Sequence, residues 1–386
     1  MLSVQEPGSA AKSETISPKS EAELSAFVAE CHATARSLHI VGGGTRTRLS
    51  APLAETQLTT RSLDGVVAYE PGELTLIARA GASVDEIERM LAAEGQALAF
   101  EPMDHRVLLG SNGTPTLGGM VAANVSGPRR LQAGACRDHL LGVRFVDGRG
   151  RVIKNGGRVM KNVTGMDLGK LMSGSNGTLG ILTEVSLKTL PVAESQQTLA
   201  FAGVTPGDAV GIFSAALATP FEVSGAAFHD GTAWLRVEGL TAQVAYRRER
   251  LSALFRDWEI DIVDDAESRT LWRDLRDVRH FADNGEAVWR ILVKPTDAPG
   301  VIDALSKFGG RSSLDWGGGL VWYSGEAGAE TVRRAAETGV AVLVRPGSAP
   351  DQQAWPPAAP GVAALNGAIR QTFDPAGILN PGYMSS

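Results

Sequence analysis

The chain has 386 residues, with 43% hydrophobic and 21% charged residues, which is the composition of a globular protein long enough for two domains or more. Its net charge of −6 argues against a nucleic-acid partner. Two cysteines, Cys31 and Cys136, are too few for a zinc site or an iron–sulfur cluster held by this chain alone.

The first hundred residues alternate predicted strands and helices. Residues 1–19 are polar, contain no apolar core of a signal peptide, and are expected to form a flexible tail. Ser20 opens a capping-box pattern that predicts a helix, and Leu38–Val41 is a short predicted strand. The other predicted elements are strands at 63–69, 74–80 and 97–100 and a helix capped by Ser83. Together they indicate a small βαβ-type unit.

A glycine run, Gly42-Gly43-Gly44-Thr45, directly follows the strand at Leu38–Val41. A strand that ends in glycines presents a concave row of backbone N–H groups, which suits a phosphate. The run fails the dinucleotide fingerprint, because Thr47 stands at the last required glycine. It therefore predicts a phosphate site of a kind other than the nicotinamide Rossmann site.

The stretch from Thr116 to Pro191 is dense in glycine between apolar runs. Small residues at 118, 119, 122 and 123 would let the backbone approach a large flat ligand closely. A strand at 141–146 followed by Asp147-Gly148-Arg149-Gly150 indicates a hairpin, and residues 177–183 indicate a tight turn that enters a buried strand. Mostly antiparallel strands are expected here.

After Pro191 the predicted order is β-α-β-β-α-β, once over 198–263 and again over 286–345, with a connecting helix at 266–282. This order is typical of ferredoxin-like units. Residues 348–361, rich in Pro and Ala, are expected to be a linker back to the first domain. The predicted domain bounds are therefore 20–192 and 193–348, with 349–386 as linker and C-terminal return.

Several motifs resemble known flavoproteins. The glycine run at 42–45, Thr116-Leu117-Gly118-Gly119 with Ala123-Asn124, residues 177–181 and the end Phe373–Gly382 resemble the FAD-binding domain of the vanillyl-alcohol-oxidase family. The finer match is to the FAD-binding subunit of bacterial glycolate oxidase. It is carried by Ser126–Arg130, Arg137-Asp138, residues 159–165, Trp289-Arg290, Asp315–Gly318 and Trp322.

The resemblance implies an α+β fold: a two-part FAD-binding domain, made of the βαβ unit and a mostly antiparallel glycine-rich sheet, with a second, ferredoxin-like cap domain. It also implies the residues that contact FAD: Gly42, Gly43, Gly44, Thr45, Thr116, Gly118, Gly119, Asn124, Gly127, Gly180, Ile181 and Asn380. Many relatives bind FAD covalently through a histidine near the first glycine loop. Here the nearest histidine, His39, precedes the glycines, so noncovalent FAD is expected.

The candidate catalytic residues are Arg276, Arg290 and His280. Trp272 to Asp277 resembles a Trp-x-x-x-Arg-acid pattern of 2-hydroxyacid dehydrogenases, in which the arginine fork holds a carboxylate. A solvated helix face paired with nearby aspartates explains Arg276 equally well. Arg290 alternates with apolar residues on a strand, which fits either a site residue or a snorkelling one. His280 is a guess for the general base, since a lone histidine is more often structural.

Two functional classes stay open. In the first, the chain oxidises glycolate to glyoxylate by hydride transfer to flavin N5, with His105 packed near the flavin. In the second, it is a non-catalytic or electron-relay FAD subunit that supports a sister flavoprotein. Catalytic relatives often carry a metal-binding histidine motif, and this sequence has none, so no metal site is expected. A cell-wall reductase of the same fold is a weaker third reading, because no proton-donor site for it can be found.

The resemblance also implies partners. Reduced flavin must be reoxidised, and the chain has neither a cluster site nor a nicotinamide fingerprint. We therefore expect a heteromeric complex with an iron–sulfur subunit and a second flavin subunit. Its location would be cytoplasmic, or peripheral at the inner membrane through those partners. Trp234, Trp316 and Trp322 are candidate anchors for a partner, with core packing as the alternative.

Overall fold

The structure is a computed structural model that describes residues 14–46, 54, 56–157, 165–348 and 353–384. Thr47, residues 159–164 of the glycolate oxidase motif, residues 349–352 of the expected linker and most of the expected tail lie outside the described residues.

The fold is α+β. Its strands are β1 Glu14–Ile16, β2 Leu38–Val41, β3 Thr56–Thr59, β4 Val66–Glu70, β5 Thr75–Arg79, β6 Gln96–Ala97, β7 Leu140–Val146, β8 Val152–Gly156, β9 Ile181–Lys188, β10 Leu190–Pro191, β11 Ser195–Ala202, β12 Gly225–His229, β13 Thr232–Gly239, β14 Asp261–Val263, β15 Ala287–Leu292, β16 Arg311–Asp315, β17 Leu320–Ser324 and β18 Val340–Pro346. Its α-helices are α1 Glu21–Thr34, α2 Val84–Ala93, α3 His105–Leu109, α4 Leu117–Ala122, α5 Arg130–Ala133, α6 Leu168–Met172, α7 Pro206–Leu217, α8 Thr241–Leu254, α9 Asp265–Arg276, α10 Ala298–Ser306, α11 Ala329–Ala335 and α12 Pro360–Phe373.

The N-terminal half, β1 to β10, contains two main sheets. A parallel sheet of order β1-β3-β2 packs on α1, whose Leu24, Val28 and Cys31 are buried against it. An antiparallel sheet has the order β4-β5-β9-β7-β8. The prediction placed the strands near 66–79 in the small βαβ unit, but β4 and β5 belong to the antiparallel sheet, where β5 pairs with β9.

The small-residue stretch after Thr116 forms the short helix α4 rather than a strand. Thr116 caps it, since its Oγ1 accepts a hydrogen bond from Gly119 N at 3.4 Å. Gly118 lies against the end of β5, where an added Cβ would come within 2.6 Å of the Ala80 Cβ. Close packing, and not strand pairing, therefore explains this glycine.

The C-terminal half, β11 to β18, is one eight-stranded sheet of order β14-β11-β13-β12-β16-β17-β15-β18. Each set of four strands has the ferredoxin-like order fourth-first-third-second, so the prediction of two β-α-β-β-α-β runs is confirmed. The two sets join edge to edge through β12 and β16, where Phe228 pairs with Leu314.

One face of this sheet is covered by its own helices, and the other faces the N-terminal half. Trp289 and Ile291 belong to the helix-covered core. Val288, Trp316 and Trp322 pack instead with Leu108 from the N-terminal half. Trp316 and Trp322 are buried, at 8% and 6% exposure, so they fill an internal contact and do not present a surface for a partner.

The helix predicted at 266–282 ends early. Helix α9 stops at Arg276, and the buried Val278 adopts a left-handed backbone with φ 51° before a 3₁₀ turn at Arg279–Phe281. That conformation is rare for a β-branched residue and breaks the helical path. His280 is therefore not on the same helix flank as Arg276. Within the described residues, no helix is both long and apolar enough to cross a bilayer.

Candidate functional site

A cavity of about 580 Å³ lies between the two halves. Its size falls in the range of sites for sizeable organic ligands. The glycine run, α4 and the Gly180-Ile181 entry to β9 line it from the N-terminal half, and β15, β17 and β18 line it from the C-terminal half. Every residue predicted to contact the cofactor lines this cavity except Gly127.

The glycine run is shaped by its neighbours. An added Cβ on Gly43 would lie 1.5 Å from Thr114 O, and one on Gly42 would lie 2.2 Å from Thr116 Oγ1. Gly44 has open space around its Cα, but its φ of 76° favours glycine. The run therefore lies flat on the segment 114–116 and forms a cradle that side chains would fill.

Arg46, at the end of the glycine run, lines the same wall of the cavity. Its Nη2 donates a hydrogen bond to Gly119 O, which fixes the end of the glycine loop to α4. Burial lowers the pKa of this guanidinium from its ordinary value. An added Cβ on Gly119 would lie 3.0 Å from Thr116 Oγ1 and 3.5 Å from Arg46 Nη2, so this position also needs glycine or a very small residue.

Asn380 brings the C-terminal segment to the cavity. Its Oδ1 accepts from Ile40 N at 2.7 Å, and its Nδ2 donates to Asn176 O at 2.8 Å. Leu379 pairs beside Leu38, and Asp374 accepts from Ile378 N and Leu379 N at 3.1 and 2.8 Å. Because its amide group is bonded on both sides, Asn380 shapes the wall by joining β2 to the turn before β9.

Asn124 and Gly127 support the wall beyond α4. Asn124 has φ 50°, and its Oδ1 accepts from Arg137 N at 3.1 Å. Gly127 permits a close contact between the halves, since an added Cβ would lie 2.2 Å from Glu101 O and 2.9 Å from Arg276 Cγ. Its carbonyl accepts from Trp316 Nε1 at 3.0 Å.

Arg276 lines the cavity but already has a carboxylate. Its Nε and Nη2 donate to Asp277 at 2.8 and 3.0 Å. Although burial opposes it, the Asp277 carboxylate raises the pKa of Arg276. Asp277 Oδ1 also accepts from Asp104 N at 2.9 Å, which links the two halves at this point.

Arg290 lines the cavity from β15 and lies on the face opposite to Trp289. Burial and, to a smaller extent, the nearby charge of Arg130 lower its pKa to about 10. Both guanidinium groups lie over the ring of Trp316, with Cζ 5.1 Å (Arg290) and 4.4 Å (Arg130) from its centroid. The sequence places Arg130 only in a motif and does not reveal that it shares the ring of Trp316 with Arg290, because contacts this distant in sequence leave no local pattern.

Two histidines have different places. His280 does not line the cavity: its Nε2 lies 2.9 Å from Ser313 Oγ, and its ring centroid is 4.2 Å from that of His229. His105 does line the cavity, with Nδ1 3.2 Å from Met103 O. Burial lowers the pKa of both to about 3, so both rings are neutral at ordinary pH.

Comparison with known proteins gives the family. Residues 13–156 match the family described as the FAD binding domain. The chain is 33% identical over 348 residues to glycolate oxidase subunit GlcE of Escherichia coli (strain K12), covering 90% of this chain and 92% of that protein. The chain belongs to the glycolate oxidase FAD-binding family. Its cofactor is therefore FAD.

Other relatives of this family member match over shorter stretches. Glycolate oxidase subunit GlcD of Bacillus subtilis is 30% identical over 188 residues, which cover 48% of this chain and 38% of that protein. D-lactate dehydrogenase of Archaeoglobus fulgidus is 30% identical over 195 residues, which cover 50% of this chain and 42% of that protein. The chain thus spans less than half the length of both. A solved alkyldihydroxyacetonephosphate synthase shares the fold, with a TM-score of 0.69 at 16% identity over 95% of this chain and 76% of that one.

The residues of the cavity fit FAD. The glycine cradle at 42–44 leaves backbone, and not side chains, at the wall where a pyrophosphate would lie. Gly119 and the segment around Asn124 continue that wall, and Gly180 packs so tightly on Phe145 that an added Cβ would lie 2.6 Å from its ring. No cluster of His, Cys, Asp or Glu that could hold a metal occurs among the residues that the structure describes.

Proposed function

We propose that this chain is the FAD-binding subunit of a glycolate oxidase complex and that it oxidises glycolate, or a similar small 2-hydroxy acid, to the 2-oxo acid. The observation that carries the proposal is Arg290, a largely buried guanidinium that lines the cavity of an FAD-binding family member. The 92% coverage of the Escherichia coli glycolate oxidase subunit supports glycolate as the substrate. FAD, when bound, supplies the acceptor for the two electrons that leave the substrate.

Arg290 would bind and orient the substrate carboxylate. A guanidinium presents paired N–H donors that match a carboxylate, and in a buried site this contact is stronger than in water. Arg276, which lines the same cavity from the end of α9, would assist. Its Nη1 makes no hydrogen bond within the described chain, whereas Nε and Nη2 are held by Asp277. His280 lies outside the cavity lining and takes no part in proton transfer here.

Two contacts across the halves would keep this substrate end rigid. Asp277 holds Arg276 and the backbone of Asp104 together, and Gly127 O receives the indole N–H of Trp316. Apolar side chains of Leu292, Trp322 and Val344 line the cavity beside Arg290. They exclude water around the bound acid, which strengthens its ionic contact with Arg290.

A second candidate function is an FAD-bearing subunit whose sister flavoprotein oxidises glycolate. It is supported by the relatives, which include two differently named glycolate oxidase subunits, GlcE and GlcD. In either case we propose a heteromeric complex that also contains an iron–sulfur subunit. The two cysteines of this chain are buried and lie in separate parts of the fold.

Anaerobic mixing of the isolated, FAD-loaded chain with glycolate separates the two candidates. Bleaching of the flavin absorbance is expected if the chain is catalytic, and Arg290→Gln should slow it while FAD stays bound. An unbleached spectrum with full FAD occupancy would show that a sister subunit carries the oxidation. Co-expression with the candidate partners followed by gel filtration tests the complex, and elution of this chain as a free monomer would contradict it.

A further inference from the structure

We propose that Arg130 and Arg290 together form a carboxylate-binding site at one end of the cavity, and that Trp316 is the residue that positions both guanidinium groups. The inference rests on the proposed function, because it names how the acid end of the substrate is recognised. It adds two residues, Arg130 and Trp316, that motif comparison did not assign to the site.

The geometry brings the three side chains together from both halves. Arg130 begins α5 in the N-terminal half, and Arg290 lies on β15 in the C-terminal half. Both line the cavity, and both lie over the ring of Trp316 at 4.4 and 5.1 Å from its centroid. Contacts of this length are typical of a cation on an aromatic ring.

Neither guanidinium has an acceptor within the part of the chain that the structure describes. Among the described residues, Arg130 and Arg290 make no side-chain hydrogen bond and no ion pair, whereas Arg46 donates to Gly119 O and Arg276 to Asp277. A guanidinium carries five N–H donors, and buried polar groups are nearly always hydrogen-bonded. The N–H donors of Arg130 and Arg290 are therefore available to bind an acceptor that enters the cavity.

The charges point to an anion as that acceptor. Arg130 and Arg290 repel each other, and the repulsion contributes to the lowered pKa of Arg290. The charge of Asp315 acts on Arg290 in the opposite direction and raises its pKa, but among the described residues Asp315 forms no ion pair with Arg290, and its Oδ1 accepts from Trp316 N at 2.6 Å. Burial raises the pKa of Asp315 to about 7, so it is only partly charged near neutral pH. A bound carboxylate would remove the repulsion and satisfy both forks.

Trp316 is held in a costly conformation. Its φ is 55°, in the left-handed region that bulky residues rarely adopt, and Gly317 and Gly318 follow with φ 64° and 96°. Its backbone N–H is fixed by Asp315, and its indole N–H by Gly127 O at 3.0 Å. Such strain persists where surrounding contacts enforce it and clusters at functional sites. Here it orients one ring so that arginines from both halves lie on it.

A carboxylate and a phosphate share the chemistry that would satisfy this pair, and the substrate and FAD are their two sources. The carboxylate is favoured by position. The glycine cradle that fits the pyrophosphate lies wholly in the N-terminal half, whereas Arg290 and Trp316 belong to the C-terminal half, beside the apolar residues of β15, β17 and β18.

The test measures binding to the FAD-loaded protein by calorimetry at constant ionic strength. The probe is oxalate, a carboxylate with no hydrogen to lose, and glycolamide is the uncharged counterpart of glycolate. Arg130→Gln and Trp316→Phe are compared with Arg279→Gln, which removes an exposed arginine paired with Asp274 away from the cavity. FAD affinity is measured on every variant by equilibrium dialysis.

Wild type and Arg279→Gln should bind oxalate equally and glycolamide weakly or not at all. Arg130→Gln should weaken oxalate binding by about 10-fold or more, the size of one lost charged hydrogen-bonding partner, with FAD affinity unchanged. Arg130→Lys should restore part of the affinity, because it returns the charge without the fork. Trp316→Phe should weaken oxalate binding. Adding Arg130→Gln to Trp316→Phe should lower the oxalate affinity by a smaller factor than Arg130→Gln does in the wild-type protein.

Two results overturn the inference. One is unchanged oxalate affinity in Arg130→Gln. The other is loss of FAD, and not of oxalate, in that variant, which would give the pair to the cofactor phosphate. If Trp316→Phe fails to fold, the two Arg130 variants decide. Because oxalate binding needs no turnover, a protein that binds oxalate through Arg130 but is not bleached by glycolate would contradict the proposed catalysis and leave the carboxylate site standing.

Discussion

Arg236 and Glu101 form a two-pronged ion pair across the two halves of the protein, with Nη1–Oε1 at 2.8 Å and Nη2–Oε2 at 2.9 Å. Arg236 is 1% exposed, and its guanidinium also lies 4.6 Å from the ring of Trp272. Glu101 accepts a further bond from Arg129 N at 2.9 Å. Although burial acts in the opposite direction, Arg236 lowers the pKa of Glu101. The cavity described above lies between halves that this pair holds together.

Glu101→Gln should destabilise the protein by about 3 kcal/mol, because it removes the two-pronged partner of a buried guanidinium, which then keeps only Glu238, 3.3 Å from its Nε, as a counter-charge. Denaturant unfolding at about pH 7 measures the loss. Because the folded-state pKa of Glu101 is lowered, its contribution is present above the ordinary pKa and is lost as pH falls. The difference in the free energy of unfolding between wild type and Glu101→Gln should thus become smaller in acid. Glu330→Gln, which removes an exposed pair with Arg334, is the control and should change little. Equal stability of both variants would contradict the interpretation.

Asp315 gives a pH dependence of the opposite sign. Burial raises its pKa to about 7, so the native state binds a proton that the unfolded state releases near 4. The stability that it contributes is full below the unfolded pKa and falls as pH rises through about 7. The stability of Asp315→Asn relative to that of wild type should therefore increase as pH rises from about 4 to about 7. Unfolding midpoints across that interval check this, and a constant difference would remove Asp315 as the titrating group.

Gly119→Val should abolish FAD binding while costing less in folding stability. A side chain there meets Thr116 Oγ1 at 3.0 Å and crowds the wall formed with Arg46. Gly211→Ala, in open space on α7, is the control and should keep FAD. Occupancy is read from the ratio of flavin to protein absorbance. Full occupancy in Gly119→Val would show that this wall does not contact the cofactor.

Acid precipitation should release FAD into the supernatant. No histidine follows the glycine run within the described loop, and His39 and His105 line the cavity as buried rings whose pKa values are lowered. The expected result is a colourless pellet and one FAD per chain in solution. Flavin fluorescence that stays with the denatured polypeptide would establish a covalent bond, and His39→Ala and His105→Ala would then identify the link.

The features that could be predicted from the sequence are those that depend on short stretches of chain. The ferredoxin-like order follows from alternating periods and turn residues, which each segment carries by itself, and the glycine run marked the cavity wall because backbone needs glycine there. Features that depend on packing between segments distant in sequence were not predicted. Val278 leaves helical geometry where it is buried in the same cluster as Leu108, and His280 therefore does not lie on the helix flank that carries Arg276.

The stacking of Arg130 and Arg290 was beyond such reasoning for the same cause. Each arginine has an ordinary local context, on a short helix and on an alternating strand. Only the folded chain shows that both lie on Trp316 and that neither has a carboxylate within the described residues. Partner choice for a charged side chain is a tertiary property, and periodicity does not encode it.

The bond from Ile40 N to Asn380 Oδ1 joins residues 340 positions apart and sets an order of events during synthesis. When the glycine run leaves the ribosome, the strand before it still lacks the segment that fastens it to the Asn176 turn. The whole eight-stranded sheet must be translated before that segment exists. Pairing over such a distance is slow to form, and the nascent N-terminal half must wait with its ligand cradle incomplete. We therefore expect FAD to bind stably only after the segment that carries Asn380 has been translated and has joined β2.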